Sequence, residues 1–242
     1  MARDNESALL RDKEIIQKKK FLNSIYFDFY EQLRPNNIPE GKVVELGSGA
    51  GFIKKVIPKT ITSDVIGGPE IDKVFFAEKM PFGNKTVAAI LMIDVFHHIK
   101  NVEKALTEMQ RCLKVGGKII MIEPYNSLWG GFIYKYIHHE HFDANSEWKV
   151  KGKGRMSDSN AALPWIVFER DRKIFETKFP ELKILKIEPH TPFLYLLSGG
   201  LTNYQFIPTF LYPLARNLEK LLSSFNHWLG MFVTVELQKS RG

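Results

Sequence analysis

The chain opens with apolar residues at helical spacing. Leu22, Ile25, Tyr26, Phe29 and Leu33 recur at i, i+3 and i+4, and Pro35 ends the run. From residue 42 onward the pattern changes to short apolar runs separated by helical or turn segments. Five of these runs read as strands: Lys42–Leu46, Thr60–Asp64, Lys73–Phe76, Val87–Ile93 and Lys118–Ile122. Ahead of the last, Val102, Ala105, Leu106, Met109 and Leu113 form a helix stripe. Asn101 is placed to cap it, Arg111 and Lys114 suit its C-terminal dipole, and Gly116-Gly117 stops it. Strands alternating with helices predict a mostly parallel sheet covered on both faces.

Residues 123–180 lose the strand alternation and read as an insertion. Strand pattern returns at Leu182–Ile187 and again at Met231–Leu237, for seven strands in all. Two amphipathic helices are predicted in the late part of the chain. One covers 128–137 through Trp129, Phe132, Ile133, Tyr136 and Ile137; the other carries Leu214, Leu218, Leu221, Leu222 and Phe225, with Pro213 near its first position. No repeat or Ser/Gly linker divides the chain. It is expected to be one α/β unit over 1–242, with an N-terminal helical segment (1–35) and cap insertions at 123–180 and 189–230.

Composition narrows this only a little. With 44% hydrophobic and 25% charged residues over 242 positions, a disordered or collagen-like chain is excluded. The single Cys112 excludes a disulfide framework and a cysteine-based zinc site, and suits a reducing compartment. Met1 to Lys20 mixes both charge signs without an apolar core segment, so it does not read as a secretory signal and a cytoplasmic setting is expected. The formal charge of +7 leaves an anionic partner open.

The candidate chemistry begins at Val43-Val44-Glu45-Leu46-Gly47-Ser48-Gly49-Ala50-Gly51, where an apolar strand runs into three glycines at alternate positions. Such a loop turns sharply and lets a ligand lie against the backbone. It is neither the dinucleotide pattern, whose third glycine would fall at Phe52, nor a P-loop, because no Gly-Lys-Ser/Thr follows. Asp64 ends the second strand, where an acid can accept both hydroxyls of a ribose. Phe76-Ala77-Glu78-Lys79-Met80-Pro81-Phe82 and then Ile93-Asp94-Val95-Phe96-His97-His98-Ile99 follow in order.

Taken in this order, residues 42–123 resemble the class I S-adenosylmethionine-dependent methyltransferases, particularly their small-molecule branch. The resemblance implies a doubly wound, Rossmann-like sheet of seven strands with the last antiparallel, and S-adenosylmethionine across the ends of the first strands. It assigns Glu45 to brace the glycine loop, and Gly47, Ser48, Gly49 and Gly51 to the turn beneath the methionine moiety. Asp64 matches the ribose acid, Ala77 and Glu78 the adenine side, and Asp94 and His98 the strand-four tip beside the sulfonium. Two departures stand out. Phe76 occupies a position where the family often has an acid, and the connection from Asp64 to Lys73 is too short for a crossover helix, which a turn at Gly67-Gly68-Pro69 replaces.

The insertions add candidates for the acceptor side. If the helix over 128–137 lies over the site and continues, Glu140 falls on its apolar stripe with His138, His139 and His141 around it. A carboxyl carried into an apolar wall has a raised pKa, which makes Glu140, with His139 and His141, the expected general base. If the helix ends at Ile137, the cluster is instead a solvated loop or a set of groups already satisfied behind the site. No metal site is expected, since the spacing lacks H-E-x-x-H and no cysteine helps. Lys149 to Arg155 carries four positive charges, suited to a phosphate, an anionic surface or plain solvation. Pro189 to Ala215 has no Asp, Glu, Lys or Arg, and its four prolines argue against a spanning helix. A lid over an apolar substrate, a segment dipping into a membrane surface, and the core of a cap all fit it.

The expected activity is methyl transfer to a small, apolar or lipid-linked acceptor, with peripheral membrane contact. Two alternatives remain at this point. An RNA methyltransferase suits the basic charge, though no RNA-binding appendage is recognisable. A non-catalytic cofactor-binding module suits the departure at Phe76.

Overall fold

The computed structural model describes residues 6–138, 140–150 and 158–241. Two helices, α1 (Glu6–Lys18) and α2 (Lys20–Gln32), precede the sheet. The sheet begins with β1 (Lys42–Glu45), β2 (Ile61–Asp64), β3 (Lys73–Val74) and β4 (Val87–Ile93). Helix α3 (Val102–Cys112) leads into β5 (Leu113–Pro124), and α4 (Leu128–Tyr136), α5 (Leu163–Trp165) and α6 (Arg172–Lys178) follow. The chain closes with β6 (Leu182–His190), α7 (Leu194–Ser198), α8 (Tyr212–Leu221), α9 (Asn226–Leu229) and β7 (Phe232–Lys239).

The strands lie in the order β3-β2-β1-β4-β5-β7-β6, with β7 antiparallel to both neighbours and the remaining pairs parallel. This is the doubly wound, seven-stranded Rossmann-like sheet of the methyltransferases. Its central strand β4 is buried along its whole length, and its side chains alternate between two cores. Ile90 and Met92 join Leu106, Met109, Ile119, Met121, Phe168 and Phe175 on one face. Ala89, Leu91 and Ile93 join Phe21, Phe29, Ile120, Ile122 and Phe232 on the other. The period-2 register sends alternate residues to opposite layers, so a fully apolar strand is what two covered faces require.

The helix boundaries differ in places from the sequence reading. The N-terminal helix is two helices broken at Lys19. The short connection from β2 to β3 has no helix, as expected, and the Asp72 carboxylate accepts the Thr62 N–H and hydroxyl, both at 3.0 Å. Helix α3 ends at Cys112 rather than running to the glycines, because Leu113 is already extended and pairs with Val87. Gly116, in the left-handed region at φ 80°, lies within a register shift of β5.

The N-terminus of α3 is as expected: Asn101 Oδ1 accepts Lys104 N–H at 3.0 Å. Leu106 from the same helix is completely buried. Asn101→Ala should therefore cost about 1 kcal/mol by loss of the cap, and Leu106→Ala about 2–5 kcal/mol by cavity formation. Urea unfolding of the two variants measures both.

Candidate active site

Strand β1 feeds directly into the glycine loop, and the loop is stitched to the tip of β2. Ser48 N donates to Ser63 O at 2.8 Å, Ser63 N to Ser48 Oγ at 3.1 Å, and Ser63 Oγ to Glu45 O at 2.7 Å. Asp64 completes the join, its two carboxylate oxygens accepting Gly49 N at 2.9 Å and Ile66 N at 3.1 Å. A cavity of about 410 Å³ opens at this point, above the C-terminal ends of β1, β2 and β4. This is where the strand order reverses, the position at which open α/β sheets accept ligands. Glu45, Gly47, Ser48, Gly49, Gly51, Asp64, Ala77, Glu78, Asp94 and His98 all line it. Four separate stretches of sequence thus converge on one space.

The three loop glycines are there for different reasons. A Cβ on Gly47, whose φ is 62°, would overlap the side chain of Val95. One on Gly51 would overlap the Tyr30 hydroxyl and stand 2.8 Å from the Ser48 carbonyl oxygen. Gly49 also has a left-handed backbone (φ 43°), but a Cβ there meets nothing closer than 3.7 Å. Gly47 and Gly51 let protein close on protein, and Gly49 leaves room for something else. A left-handed glycine with no clashing neighbour, beside a ribose-type acid on the cavity wall, fits an adenosyl cofactor.

Burial controls the acids around the cavity. Glu45 is pushed up to about 7 by desolvation and by Asp64, against hydrogen bonds from Ser48 and Tyr30. Its Oε2 is buried without a hydrogen-bond partner. Burial also raises Asp64, against the backbone N–H groups it accepts. Asp94, held at φ 55°, is pushed to about 8 by burial and by the charges of Glu123 and Glu140, with His97 opposing. Glu78 has a structural partner as well, since its Oε1 accepts Asn101 N at 3.2 Å. Phe76 lines the cavity beside it.

The tip of β4 is organised by a residue absent from the sequence reading. Glu123, fully buried at the end of β5, accepts Val95 N and Phe96 N at 2.8 Å and His97 Nδ1 at 2.7 Å. The other ring nitrogen of His97 points at Glu140, with Nε2 3.3 Å from Oε2. His98 Nε2 lies 4.0 Å from the other Glu140 oxygen, and His98 Nδ1 lies 3.2 Å from the Asp158 carbonyl oxygen. His97, noted in the sequence only as part of the strand-four motif, is the pivot of this cluster.

The expectation that Glu140 continues the apolar stripe of α4 with a raised pKa does not hold. Helix α4 ends at Tyr136, so Glu140 does not continue its stripe. Burial alone would raise its carboxyl, but His97, His98 and His138 hold it well below the usual carboxylate range. His141 is exposed and contributes its backbone carbonyl to Ala161 N–H. His139 lies outside the described residues, as do residues 151–157 of the basic stretch. Helix α4 itself does not line the cavity. Its buried side is Gly130, Ile133 and Tyr134, while Phe132, Tyr136 and Ile137 face solvent. Gly130 sets that rotation: a Cβ there would press on the Tyr125 and Gly230 carbonyl oxygens.

The cavity is roofed by residues the motif reading did not include. Leu9, Asp12 and Ile16 of α1, Tyr26 and Tyr30 of α2, and Leu201 all line it. In the sequence, the apolar pair Leu9 and Ile16 at i, i+7 is the only trace of this role.

Comparison with known proteins agrees with this geometry. A family model described as a methyltransferase domain matches residues 19–171. No curated protein matches the chain. Among solved structures, the methyltransferase complexed with the Trm112 activator of Haloferax volcanii aligns over 100% of this chain and 99% of its own, at 14% identity and TM-score 0.55. An S-adenosylmethionine-dependent methyltransferase of Thermotoga maritima aligns over 96% and 89%, at 16% identity and TM-score 0.51. A phosphoethanolamine N-methyltransferase of Haemonchus contortus aligns over 99% and 58%, at 10% identity and TM-score 0.51. At these identities the likeness is one of fold.

The position of Glu45 gives a pH signature for the ligand-free protein. Its folded pKa of about 7 lies above the ordinary 4.5, so the folded state holds a proton that the unfolded chain releases. The stabilisation is complete below pH 4.5 and is lost as pH rises through 7; it amounts to roughly 3 kcal/mol. Urea unfolding between pH 5 and 8 should show the wild type losing more stability than Glu45→Gln. Parallel curves would remove Glu45 from this role.

Proposed function

We propose, from the premise that this chain belongs to the S-adenosylmethionine-dependent methyltransferase family, that its acceptor is a small molecule with an apolar or lipid-linked body. The observation that carries the cofactor site is the convergence of ten residues from four segments on one cavity. Bound there, S-adenosylmethionine supplies an electrophilic sulfonium methyl. The protein's part is to hold it and to keep water away. Gly49 leaves the backbone open to the methionine portion, and Asp64 accepts ribose hydroxyls with the lone pairs that Gly49 and Ile66 do not use. Ala77, Glu78 and the ring of Phe76 form the adenine side, and Asp94 and His98 border the methyl. Leu9, Ile16 and Leu201 close the cavity from above.

The acceptor class rests on the outer surface of the second insertion. Tyr204 is 91% exposed, Phe210 79% and Leu221 77%, and Phe206, Leu214, Leu218, Phe225 and Trp228 are exposed beside them in sequence. Among the described residues no helix is long and apolar enough to cross a membrane. Exposed apolar side chains in such number suit a face that dips into a lipid surface. The enzyme would then work on the cytoplasmic side of a membrane, taking an acceptor anchored in it.

Calorimetry with S-adenosylhomocysteine tests the cofactor site. Gly49→Val and Asp64→Ala should each weaken binding about 10–100-fold without loss of helical circular dichroism. Normal affinity in both variants would discard the assignment. For the acceptor, labelled methyl groups incubated with cell extract should enter an organic-extractable product. Phe210→Glu with Leu221→Glu should reduce sedimentation with anionic vesicles. Label recovered in RNA would instead make this a nucleic-acid enzyme.

A further inference from the structure

We infer that His97, His98 and Glu140 form a binding site for one divalent transition-metal ion of the zinc type, beside the cavity that His98 lines. The inference rests on the proposed methyltransferase reading only for what the ion would do, not for the site itself. One ligand atom from each of the three residues lies within 4.8 Å of the others. The Glu140 carboxylate stands 3.3 Å from His97 Nε2 and 4.0 Å from His98 Nε2. A tetrahedral zinc ion with bonds near 2.0–2.1 Å separates neighbouring ligand atoms by about 3.4 Å. The three groups therefore stand near the spacing that an ion would impose, and only small side-chain shifts separate them from it.

The supporting residues make the case stronger than spacing alone. A metal-binding imidazole characteristically donates its other ring N–H to a carboxylate or a backbone carbonyl, which fixes tautomer and ring orientation. Both histidines are held in this way, His97 Nδ1 by Glu123 at 2.7 Å and His98 Nδ1 by the Asp158 carbonyl at 3.2 Å. Both Nε2 atoms are thereby aimed at Glu140. His97 Nε2 is buried, and its approach to Glu140 falls short of an aligned hydrogen bond. Two imidazoles and one carboxylate are a set that zinc uses in catalytic sites, where a fourth position stays open. Here His98 borders the cavity, as does Asp94 at the same strand tip. The open position would take an oxygen or nitrogen donor of the acceptor and orient it toward the methyl. An acceptor with a hydroxyl, carboxylate or amine next to its methylation point is the chemical class this selects.

The test uses the full chain, free of any histidine tag and prepared without metal. Zinc titrated by calorimetry should bind with one equivalent per chain, and cobalt in its place should give visible d–d absorption of a low-coordinate site. Glu140→Ala and His98→Ala should each weaken zinc at least about 10-fold. Glu123→Gln, which touches no ion, should weaken it by about 10–100-fold through His97, with circular dichroism checking that this buried change still folds. Binding that survives Glu140→Ala but is lost in His138→Ala with His141→Ala would show an adventitious surface ion and overturn the inference. Absence of stoichiometric binding to the wild type would also overturn it. S-adenosylhomocysteine affinity is measured on the same samples: retained affinity without zinc binding sinks the metal site alone. Loss of both sinks the cofactor reading as well.

Discussion

The Glu123 carboxylate is the constraint on which the tip of β4 and the insertion packed against it depend. A fully buried carboxylate costs several kcal/mol unless its lone pairs are satisfied. Here the donors are the backbone N–H groups of Val95 and Phe96 and the ring of His97. Satisfying them makes the chain turn sharply after β4 and puts Asp94 in the left-handed region at φ 55°. The same turn sets His97 with one nitrogen inward and the other toward Glu140. The first insertion is then pinned to the strand tip through Glu140 and through Asn160 N, which donates to the His97 carbonyl at 3.0 Å. One buried charge thus fixes strand end, histidine orientation and cap position together.

The cofactor end uses the opposite economy. Its carboxylates are only partly satisfied by the protein. Asp64 gives two of its lone pairs to Gly49 and Ile66, and Glu45 keeps one buried oxygen without a partner. Unsatisfied polar atoms in a native interior mark a place where a ligand, water or proton completes the set. The raised pKa values there follow from the same shortage, since burial disfavours the ionised form until a donor arrives. Glu123 has its hydrogen bonds from the protein itself, and the glycine-loop side has some left to be made.

What the sequence disclosed, and what it hid, follows from the range of the interactions involved. Strand periodicity, the Asn101 cap and the glycine loop are local, and each was legible. The helix end at Cys112 was not, because Leu113 is drawn into the sheet by Val87, a partner remote in sequence. Rotation of α4 was hidden for a similar reason: a stripe shows where apolar residues lie, not which side another element covers. Gly130 decides that, through carbonyl groups it must approach closely. The pairing of His97 with Glu140 joins two segments far apart in the chain, so a search for consecutive metal spacing passes over it. The roof from α1 carries no motif at all, only two apolar residues a helical repeat apart.

Helix α8 carries the same lesson into energetics. Its pattern is strongly amphipathic, and the ordinary expectation is that the apolar stripe packs inward. In the structure only Tyr212 and Ala215 pack against the core, and the leucine stripe does not. Tyr212 and Glu219 are the anchors: Tyr212 Oη donates to Asp28 at 2.7 Å, and the Glu219 carboxylate accepts Phe193 N and Leu194 N at 2.6 Å. Burial pushes that carboxyl up to about 7, so the anchor is itself costly. Meanwhile Leu214, Leu218 and Leu221 stand in solvent at i, i+4 and i+7. Leaving each leucine out of an apolar environment forgoes roughly 1.5–3 kcal/mol. The apolar contacts that hold the helix are few, chiefly Ala215 and the Tyr212 ring, which meets Phe21 edge-on at 5.0 Å. Such an exposed stripe carries an apolar hydration cost that any covering apolar surface would remove.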